Sequence, residues 1–222
     1  MKKLIAFVLL ALSPLVAQAS AGGECGELKH CLHAPVNAQD KVSLQNGAKL
    51  FLSYCAGCHS AKYIRYDRMA NDLKIDPKLV AEYMMFTTDK VGETIDPKTP
   101  SKDQAKWFGA PPPDLSVETR LRSPDWVYSY LQSFYPDDAR PYGVNNKVFK
   151  DVAMPHVLAD LEQDLKPEEF KQSVGDLVNF MAYMADPVKV ERERIGVWVL
   201  FFLFVLLIPV WFLNKEYWKD VK

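Results

Sequence analysis

The sequence predicts a mainly α-helical exported domain followed by one C-terminal transmembrane helix. Three features support this: a signal-like N-terminus, apolar residues at helical spacing in several segments, and an uncharged apolar run near the C-terminus. The 222 residues are 49% hydrophobic and 25% charged, a composition that excludes intrinsic disorder. Lys+Arg number 27 and Asp+Glu 28, so there is no basic excess, and no nucleic-acid partner is expected.

The N-terminus has the pattern of a secretory signal peptide. Lys2 and Lys3 precede an apolar stretch over residues 4–17, and Ala17-Gln18-Ala19 forms an A-x-A cleavage site. A retained membrane anchor is the alternative, but the apolar stretch is short for a bilayer span. We therefore predict a signal peptide over residues 1–19 and a bacterial host that exports the remaining chain.

The second apolar segment, residues 195–213, predicts a transmembrane helix. Its sequence, IGVWVLFFLFVLLIPVWFL, has no charged residue, and as a helix it would span about 28 Å. A buried helix of a soluble domain is the alternative, but no polar face is present. With the signal peptide, this predicts a single-pass protein of the bacterial inner membrane, with residues 20–194 in the periplasm and a cytoplasmic tail at 214–222.

The motif Cys55-Ala56-Gly57-Cys58-His59 is C-x-x-C-H, the attachment pattern of a c-type haem. Two thiols at this spacing reach the two vinyl groups of one porphyrin, and the adjacent histidine supplies an imidazole to the iron. A thioredoxin-like redox pair or half a zinc site are the alternatives, but neither needs the histidine. The motif predicts one covalent haem c, with Cys55, Cys58 and His59 in these roles.

Two helices are predicted to cross beside this haem. Residues 43–54 form one, with Ser43 as its N-cap, and residues 167–185 form the other. Gly47 in the middle of the first helix indicates a close approach of the second. Such a crossing is the core of class I cytochromes c. The predicted fold is therefore a class I cytochrome c-like haem domain with loop insertions at 61–110 and 132–150.

A methionine or histidine is expected as the sixth iron ligand. Met154 is favoured because it lies in a loop before the closing helix, where Pro155 keeps it extended. His156 is the nearest rival, and a buried loop methionine without a ligand role is the other alternative. The further candidates are Met69, Met84, Met85, Met181, Met184, His30 and His33. Met84 and Met85 lie in an apolar run, 79–86, and the Asp76-Pro77 pair before it predicts a helix start there.

The haem propionates and the His59 imidazole also need partners. Arg120 and Arg122 lie just before a helix predicted to begin at Ser123, and guanidinium groups suit carboxylates, although both could equally be solvated surface residues. Residues 110–113 form a rigid, proline-rich segment whose carbonyl groups can accept the His59 Nδ1–H, although a plain linker is as consistent with the sequence.

Cys25 and Cys31 both precede the haem motif. In an exported chain a mutual disulfide is the expected state of such a pair. A lipidated Cys25 is the less favoured alternative, because a charged residue precedes it.

The chain resembles the cytochrome c1 family, the haem subunits of ubiquinol–cytochrome c reductase (bc1) complexes. The matching stretches are 54–60 (YCAGCHS), 110–116 (APPPDLS), 120–122 (RLR), 125–131 (DWVYSYL), 145–149 (NNKVF), 154–156 (MPH) and the C-terminal span. The resemblance implies thioether bonds at Cys55 and Cys58, iron ligation by His59 and Met154, and Arg122 near a propionate. The Cys25/Cys31 pair is not part of the family pattern.

The resemblance also implies a function. A member of this family takes an electron from the Rieske iron–sulfur protein and passes it to a soluble or membrane-bound cytochrome c, within a complex that contains cytochrome b. No independent catalytic site is expected, because a His/Met-ligated iron has no free position for substrate. Two alternatives remain: a free-standing membrane-anchored cytochrome c feeding a terminal oxidase, and a haem enzyme or gas sensor with an open iron.

Overall fold

The computed structural model describes residues 24–220, so the predicted signal peptide lies outside the described residues. The α-helices in chain order are α1 (Lys41–Leu50), α2 (Tyr66–Leu73), α3 (Pro77–Tyr83), α4 (Ser101–Phe108), α5 (Glu118–Leu121), α6 (Pro124–Leu131), α7 (Ala159–Asp164), α8 (Pro167–Ala185) and α9 (Lys189–Tyr217). A π-helical turn, Phe51–Cys55, continues α1. The strands are β1 (Ala61–Arg65), β2 (Thr94–Ile95), β3 (Phe134–Pro136) and β4 (Val144–Asn146).

The crossing of α1 and α8 forms the centre of the core. Gly47 touches α8 so closely that a Cβ atom there would lie 2.0 Å from the carbonyl oxygen of Asp176. Beside this point the rings of Phe51 and Phe180 pack with their centroids 5.6 Å apart. The close approach inferred from Gly47 is therefore confirmed, and α8 has the bounds that the sequence predicts.

The start of α1 differs from the prediction. Asp40, not Ser43, is the N-cap, and its carboxylate accepts the backbone N–H of Ser43. The Ser43 hydroxyl instead accepts a hydrogen bond from the Asn179 side chain of α8 at 3.0 Å. The sequence suggested Ser43 because serine is a common cap, but the helix begins earlier, and the Asp40 carboxylate accepts the N–H of Ser43 itself.

The predicted loop insertions contain regular structure. Residues 61–110 include three helices and the antiparallel pair β1–β2, and residues 132–150 contain the antiparallel hairpin β3–β4. The predicted helix starts at Asp76-Pro77 and Ser123-Pro124 are both found, with Asp76 and Ser123 as N-caps. One of these elements, α4, contacts the C-x-x-C-H segment, because the Gln104 side chain donates to the Cys58 carbonyl.

The C-terminal helix α9 is longer than the apolar run that predicts it. It covers 29 residues, and its most apolar window has a mean hydropathy of 2.7 with none of its residues buried against the protein. Within residues 24–220 it is the one helix long and apolar enough to cross a membrane. Pro209 lies inside it near the C-terminal end.

Candidate haem site

The C-x-x-C-H segment begins where the π-helical turn ends. The Ala56 N–H bonds to the Phe51 carbonyl at 3.0 Å, and the His59 N–H bonds to the Cys55 carbonyl at 2.8 Å. Both thiols are free, with Cys55 buried and Cys58 exposed. Burial, together with the nearby Cys58 thiol, raises the pKa of Cys55 to about 12, so this thiol is neutral at neutral pH.

The His59 ring is oriented by the proline-rich segment. Its Nδ1 atom lies 2.8 Å from the Pro113 carbonyl oxygen and donates to it, which leaves Nε2 unprotonated for a metal. The predicted contact between this segment and His59 is therefore confirmed. Burial lowers the pKa of His59 against the opposing effects of the Pro113 carbonyl and the Glu118 and Asp114 carboxylates, and this favours the neutral imidazole, the form that can bind a metal.

Asp114 fixes the position of the Pro113 carbonyl. Its carboxylate accepts hydrogen bonds from the Ser60 hydroxyl at 2.7 Å, the Lys62 N–H at 3.0 Å and the Ser116 N–H at 2.8 Å. Burial opposes ionisation of Asp114, but these hydrogen bonds outweigh it and hold its pKa below the usual range. The Asp114 carboxylate therefore ties the chain just after Pro113 to Ser60 and Lys62, which lie just after His59.

Two adjoining cavities lie against this segment, with volumes of about 280 and 210 Å³. Five residues line both cavities: Cys55, His59, Pro113, Ala153 and Met154. Cys58 lines the second cavity, and Tyr130 lines the first. The Tyr130 hydroxyl lies 3.4 Å from the Met154 sulfur, which accepts its hydrogen bond. The structure therefore brings both thiols, the imidazole and the thioether of the predicted set to one place.

The environments of the other candidates for the sixth iron ligand differ from that of Met154. Met69, Met84 and Met184 are buried in the core, and they do not line either cavity. Met181 lines the first cavity from α8. His156 is held by Glu162, with Nε2 2.7 Å from a carboxylate oxygen, and it does not line the cavities. His30 and His33 are exposed on the N-terminal arm.

The structure separates the two arginines that were candidates for the propionates. Arg122 lines the first cavity, where its guanidinium lies 4.4 Å from the Trp126 ring centroid and its Nε atom 2.7 Å from a Glu118 oxygen. Arg120 is exposed and lines a different cavity, beside the start of α9. Only Arg122 of the pair therefore borders the site, because residues two positions apart in a helical turn do not share a face.

Cys25 and Cys31 form a disulfide in the structure. The N-terminal arm that they close is tied to the rest of the domain, with the Glu27 N–H bonded to the Lys147 carbonyl at 2.8 Å and the Ala34 N–H to the Asp125 carboxylate at 2.9 Å. The arm therefore packs against α6 and the residues that follow β4, and none of residues 24–34 lines either cavity.

Sequence reasoning missed two residues that support the site. Gln104 on α4 is buried and donates from its side-chain amide to the Cys58 carbonyl at 3.0 Å. Tyr130 on α6 donates to Met154. Tyr130 belongs to a matched stretch of the family, which could have directed attention to it, whereas nothing in the sequence around Gln104 indicates its role.

The residues present fit a covalently bound haem c. The donor set is a neutral imidazole with a fixed tautomer, a thioether and two free thiols, and all of these border cavities with largely apolar walls. Arg122 adds a cation at the wall for a carboxylate. Among residues 24–220, no group of three or more His, Cys, Asp or Glu side chains offers a separate site for a metal ion.

Comparison with known proteins agrees with this chemistry. The model of the Cytochrome C1 family matches residues 31–221. The chain is 45% identical to cytochrome c1 of Allochromatium vinosum, with 100% of both chains covered, and 39% identical to a protein named ammonia monooxygenase gamma subunit in Nitrosomonas europaea, with 99% of both covered. It is 28% identical to the mitochondrial cytochrome c1 haem protein of Saccharomyces cerevisiae, over 94% of this chain and 78% of the relative. The chain therefore belongs to the cytochrome C1 family, and it is a single-pass membrane protein that carries covalently bound haem c.

Proposed function

We propose that this chain passes electrons from a Rieske iron–sulfur subunit to a soluble or membrane-bound cytochrome c. Family membership supports the broader statement that it is a membrane-anchored haem subunit of the bc1 complex, where cytochrome b is the other expected neighbour. The observation that carries the proposal is the meeting of the His59 imidazole and the Met154 thioether at the walls of the same two cavities.

Each residue of the site has a defined role in this proposal. Cys55 and Cys58 would hold the haem through thioether bonds, and His59 and Met154 would supply the protein ligands of its iron. The bound haem supplies a one-electron Fe(III)/Fe(II) couple, and a soft thioether donor favours the reduced state. Arg122 balances the charge of a propionate, whereas the position of Arg120 in a separate cavity does not support the same role for it.

The proposed topology follows from the two ends of the chain. Residues 1–19 are removed on export, residues 20–194 lie in the periplasm, residues 195–213 cross the inner membrane within α9, and residues 214–222 form the cytoplasmic tail. Residues 20–194 carry 26 acidic and 22 basic side chains. An acidic periplasmic domain would attract a basic cytochrome c.

The Met154→Leu variant tests the ligand assignment. Leucine has a similar volume, so the fold and the covalent haem should be retained. The weak near-infrared-edge band of Fe(III)–thioether ligation should disappear, the reduction potential should fall, and CO should bind the ferrous protein. Met69→Leu is the matched control, because Met69 is fully buried and does not line the cavities. If Met154→Leu keeps the wild-type spectrum while His156→Ala abolishes it, the ligand is His156.

Purification of the full chain in mild detergent tests the partners. Co-purification of cytochrome b and a Rieske subunit, together with reduction of the chain by that Rieske protein, supports the relay. Co-purification with a terminal oxidase would instead support the free-standing alternative. Purification with an oxygenase would assign the chain to an assembly like the one named for the Nitrosomonas europaea relative. Rapid CO binding by the wild-type ferrous protein would indicate an open iron and contradict the relay.

A further inference from the structure

We propose that Arg140 and His156 are positioning residues that hold the Met154 loop, residues 151–157, from its two ends. The inference rests on the proposed role of Met154 as the distal ligand. The loop lies between the β3–β4 hairpin and α7. Arg140 belongs to the hairpin, whereas His156 lies in the loop itself and is held by side chains of β3 and α7. The anchors determine where the thioether stands before any bond to iron forms.

The first anchor is Arg140, in the turn of the β3–β4 hairpin. Its guanidinium donates to the Asp151 carbonyl at 2.6 Å and to the Val152 carbonyl at 3.1 Å, and it pairs with the Asp151 carboxylate at 3.3 Å. Three contacts from one planar group to two consecutive residues define both the position and the direction of the backbone. The Arg140 side chain is only 24% exposed, so these bonds are partly protected from water.

The same end of the loop has a backbone conformation that needs support. Asp151 has a φ of +61°, in the left-handed region that residues other than glycine rarely adopt. Its N–H is bonded at 2.9 Å to the side chain of Asn145, a buried residue of β4. Asn145 in turn donates to the Asp137 carboxylate at 2.9 Å. The hairpin thus holds Asp151 through its N–H, its carbonyl group and its side chain.

The second anchor is His156, two residues after the ligand. Its Nε2 atom lies 2.7 Å from a Glu162 oxygen on α7, and its ring stacks on Phe134 of β3 with a centroid distance of 4.7 Å and an angle of 3°. The side chain is 14% exposed. A ring that is stacked on one element and hydrogen-bonded to another cannot rotate without losing both contacts.

Between the anchors the chain has few contacts of its own. Within residues 24–220, Ala153 and Met154 make no backbone hydrogen bonds, and the polar contact of Met154 is the one that the Tyr130 hydroxyl donates to its sulfur. Pro155 restricts the backbone but supplies no N–H. The placement of the thioether therefore depends on the two anchors, and loosening either one should raise the fraction of molecules in which the ligand has left the iron.

The test compares four variants of the full-length holoprotein in detergent. His156→Ala removes the ring, Glu162→Gln keeps the size of its partner but weakens the hydrogen bond, and Arg140→Lys keeps the charge but loses the forked geometry. Met154→Leu removes the ligand. Imidazole binding to the ferric protein and CO binding to the ferrous protein report how often the sixth position opens. Losing a hydrogen bond to a charged group is expected to accelerate both reactions about tenfold.

Matched controls separate positioning from general loss of stability. His33→Gln removes another histidine that contacts a carboxylate, Asp125, and Arg68→Lys alters another arginine that pairs with an aspartate, Asp72. Neither residue touches the loop. The controls should keep wild-type binding rates. The anchor variants should keep the covalent haem and the thioether band at low temperature, and they should lose the band at a lower temperature than the controls do.

The outcomes distinguish this inference from the proposed function. If Met154→Leu binds CO rapidly while the three anchor variants bind imidazole and CO at wild-type rates, the anchors do not position the ligand and the inference is wrong, although Met154 remains the ligand. If Met154→Leu leaves the thioether band and the binding rates unchanged, Met154 is not the ligand, and both fail. Accelerated binding in the controls as well as in the anchor variants would also overturn the inference, because the effect would then be a general loss of stability.

Discussion

Replacement of Gly47 by alanine should destabilise the domain, although alanine is the better helix former. The added Cβ would lie 2.0 Å from the Asp176 carbonyl oxygen and 2.7 Å from the Phe180 Cβ atom. Ordinary contact distances would require the two helices to separate locally by roughly 1.4 Å. The carbonyl belongs to the backbone of α8 and cannot rotate away as a side chain could.

Two opposing effects determine how much Gly47→Ala lowers the free energy of unfolding. Overpacking a well-filled core costs about 1 to 3 kcal/mol, and a backbone contact belongs at or above the upper end of that range. Alanine returns about 1 kcal/mol through helix propensity. The separation would also strain the hydrogen bond of 3.2 Å between the Asn46 and Asp176 side chains. We expect a net loss of at least about 2 kcal/mol, which lowers the melting temperature of a protein of this size by about 4 to 8 °C.

Thermal and urea denaturation of the detergent-solubilised holoprotein, followed by the haem absorbance, measure this loss. Gly92→Ala is the matched control, because Gly92 lies in a turn outside α1 and α8 and a Cβ there meets no atom within 4 Å. The control should have a free energy of unfolding close to that of the wild type. If Gly47→Ala were as stable as the control, α1 and α8 could not lie as close together as the structure has them, and this account of the crossing would be wrong.

Two further predictions concern the surroundings of the site. Asp114→Asn should reduce stability by about 2 kcal/mol at neutral pH, because three hydrogen bonds then end on a neutral group. The pKa of Asp114 is held low in the folded protein, so the ionised carboxylate stabilises the fold above the unfolded-state pKa. This stabilisation is lost as the pH falls through the folded-state pKa. The difference in unfolding free energy between variant and wild type, measured by urea titration, should therefore shrink below about pH 4. A pH-independent difference would contradict this cause. Changing Cys25 and Cys31 together to serine should cost about 2 kcal/mol, the value for closing a loop this short, and should leave the haem spectrum unchanged; an altered spectrum would show that the arm reaches the site.

Much of the fold could be predicted because its signals are local. Proline and aspartate or serine at helix starts, and apolar residues at helical spacing, predicted the starts of α3 and α6 and both ends of α8. The N-cap of α1 and the π-helical turn that ends at Cys55 were less accessible. Asp40 and Ser43 are both good N-cap residues, and a π-helical turn differs from an α-helical turn by one residue. Local sequence preferences barely distinguish these alternatives, so tertiary contacts select between them.

The candidate site also contains residues that local sequence identifies and contacts that only the tertiary structure determines. The C-x-x-C-H spacing is a covalent requirement, so Cys55, Cys58 and His59 can be identified from the chain without knowledge of the fold. The partner of His59 could be narrowed to the proline-rich segment, because prolines leave their neighbouring carbonyls without competing donors. The choice of Pro113 depends on Asp114, whose three hydrogen bonds place that carbonyl 2.8 Å from the ring.

The helical class, the apolar C-terminal helix and the haem motif could all be inferred from the amino-acid sequence alone, because each depends on residues that are neighbours along the chain. The three-dimensional packing was needed to place Arg122 at the cavity and Arg120 elsewhere, and to pair Tyr130 with Met154 and His156 with Glu162. These choices depend on the directions of side chains from separate elements, set by how α5, α6, α7 and the β3–β4 hairpin pack around the α1–α8 crossing. Such packing depends on many weak contacts between distant residues, and no single segment of the chain encodes it.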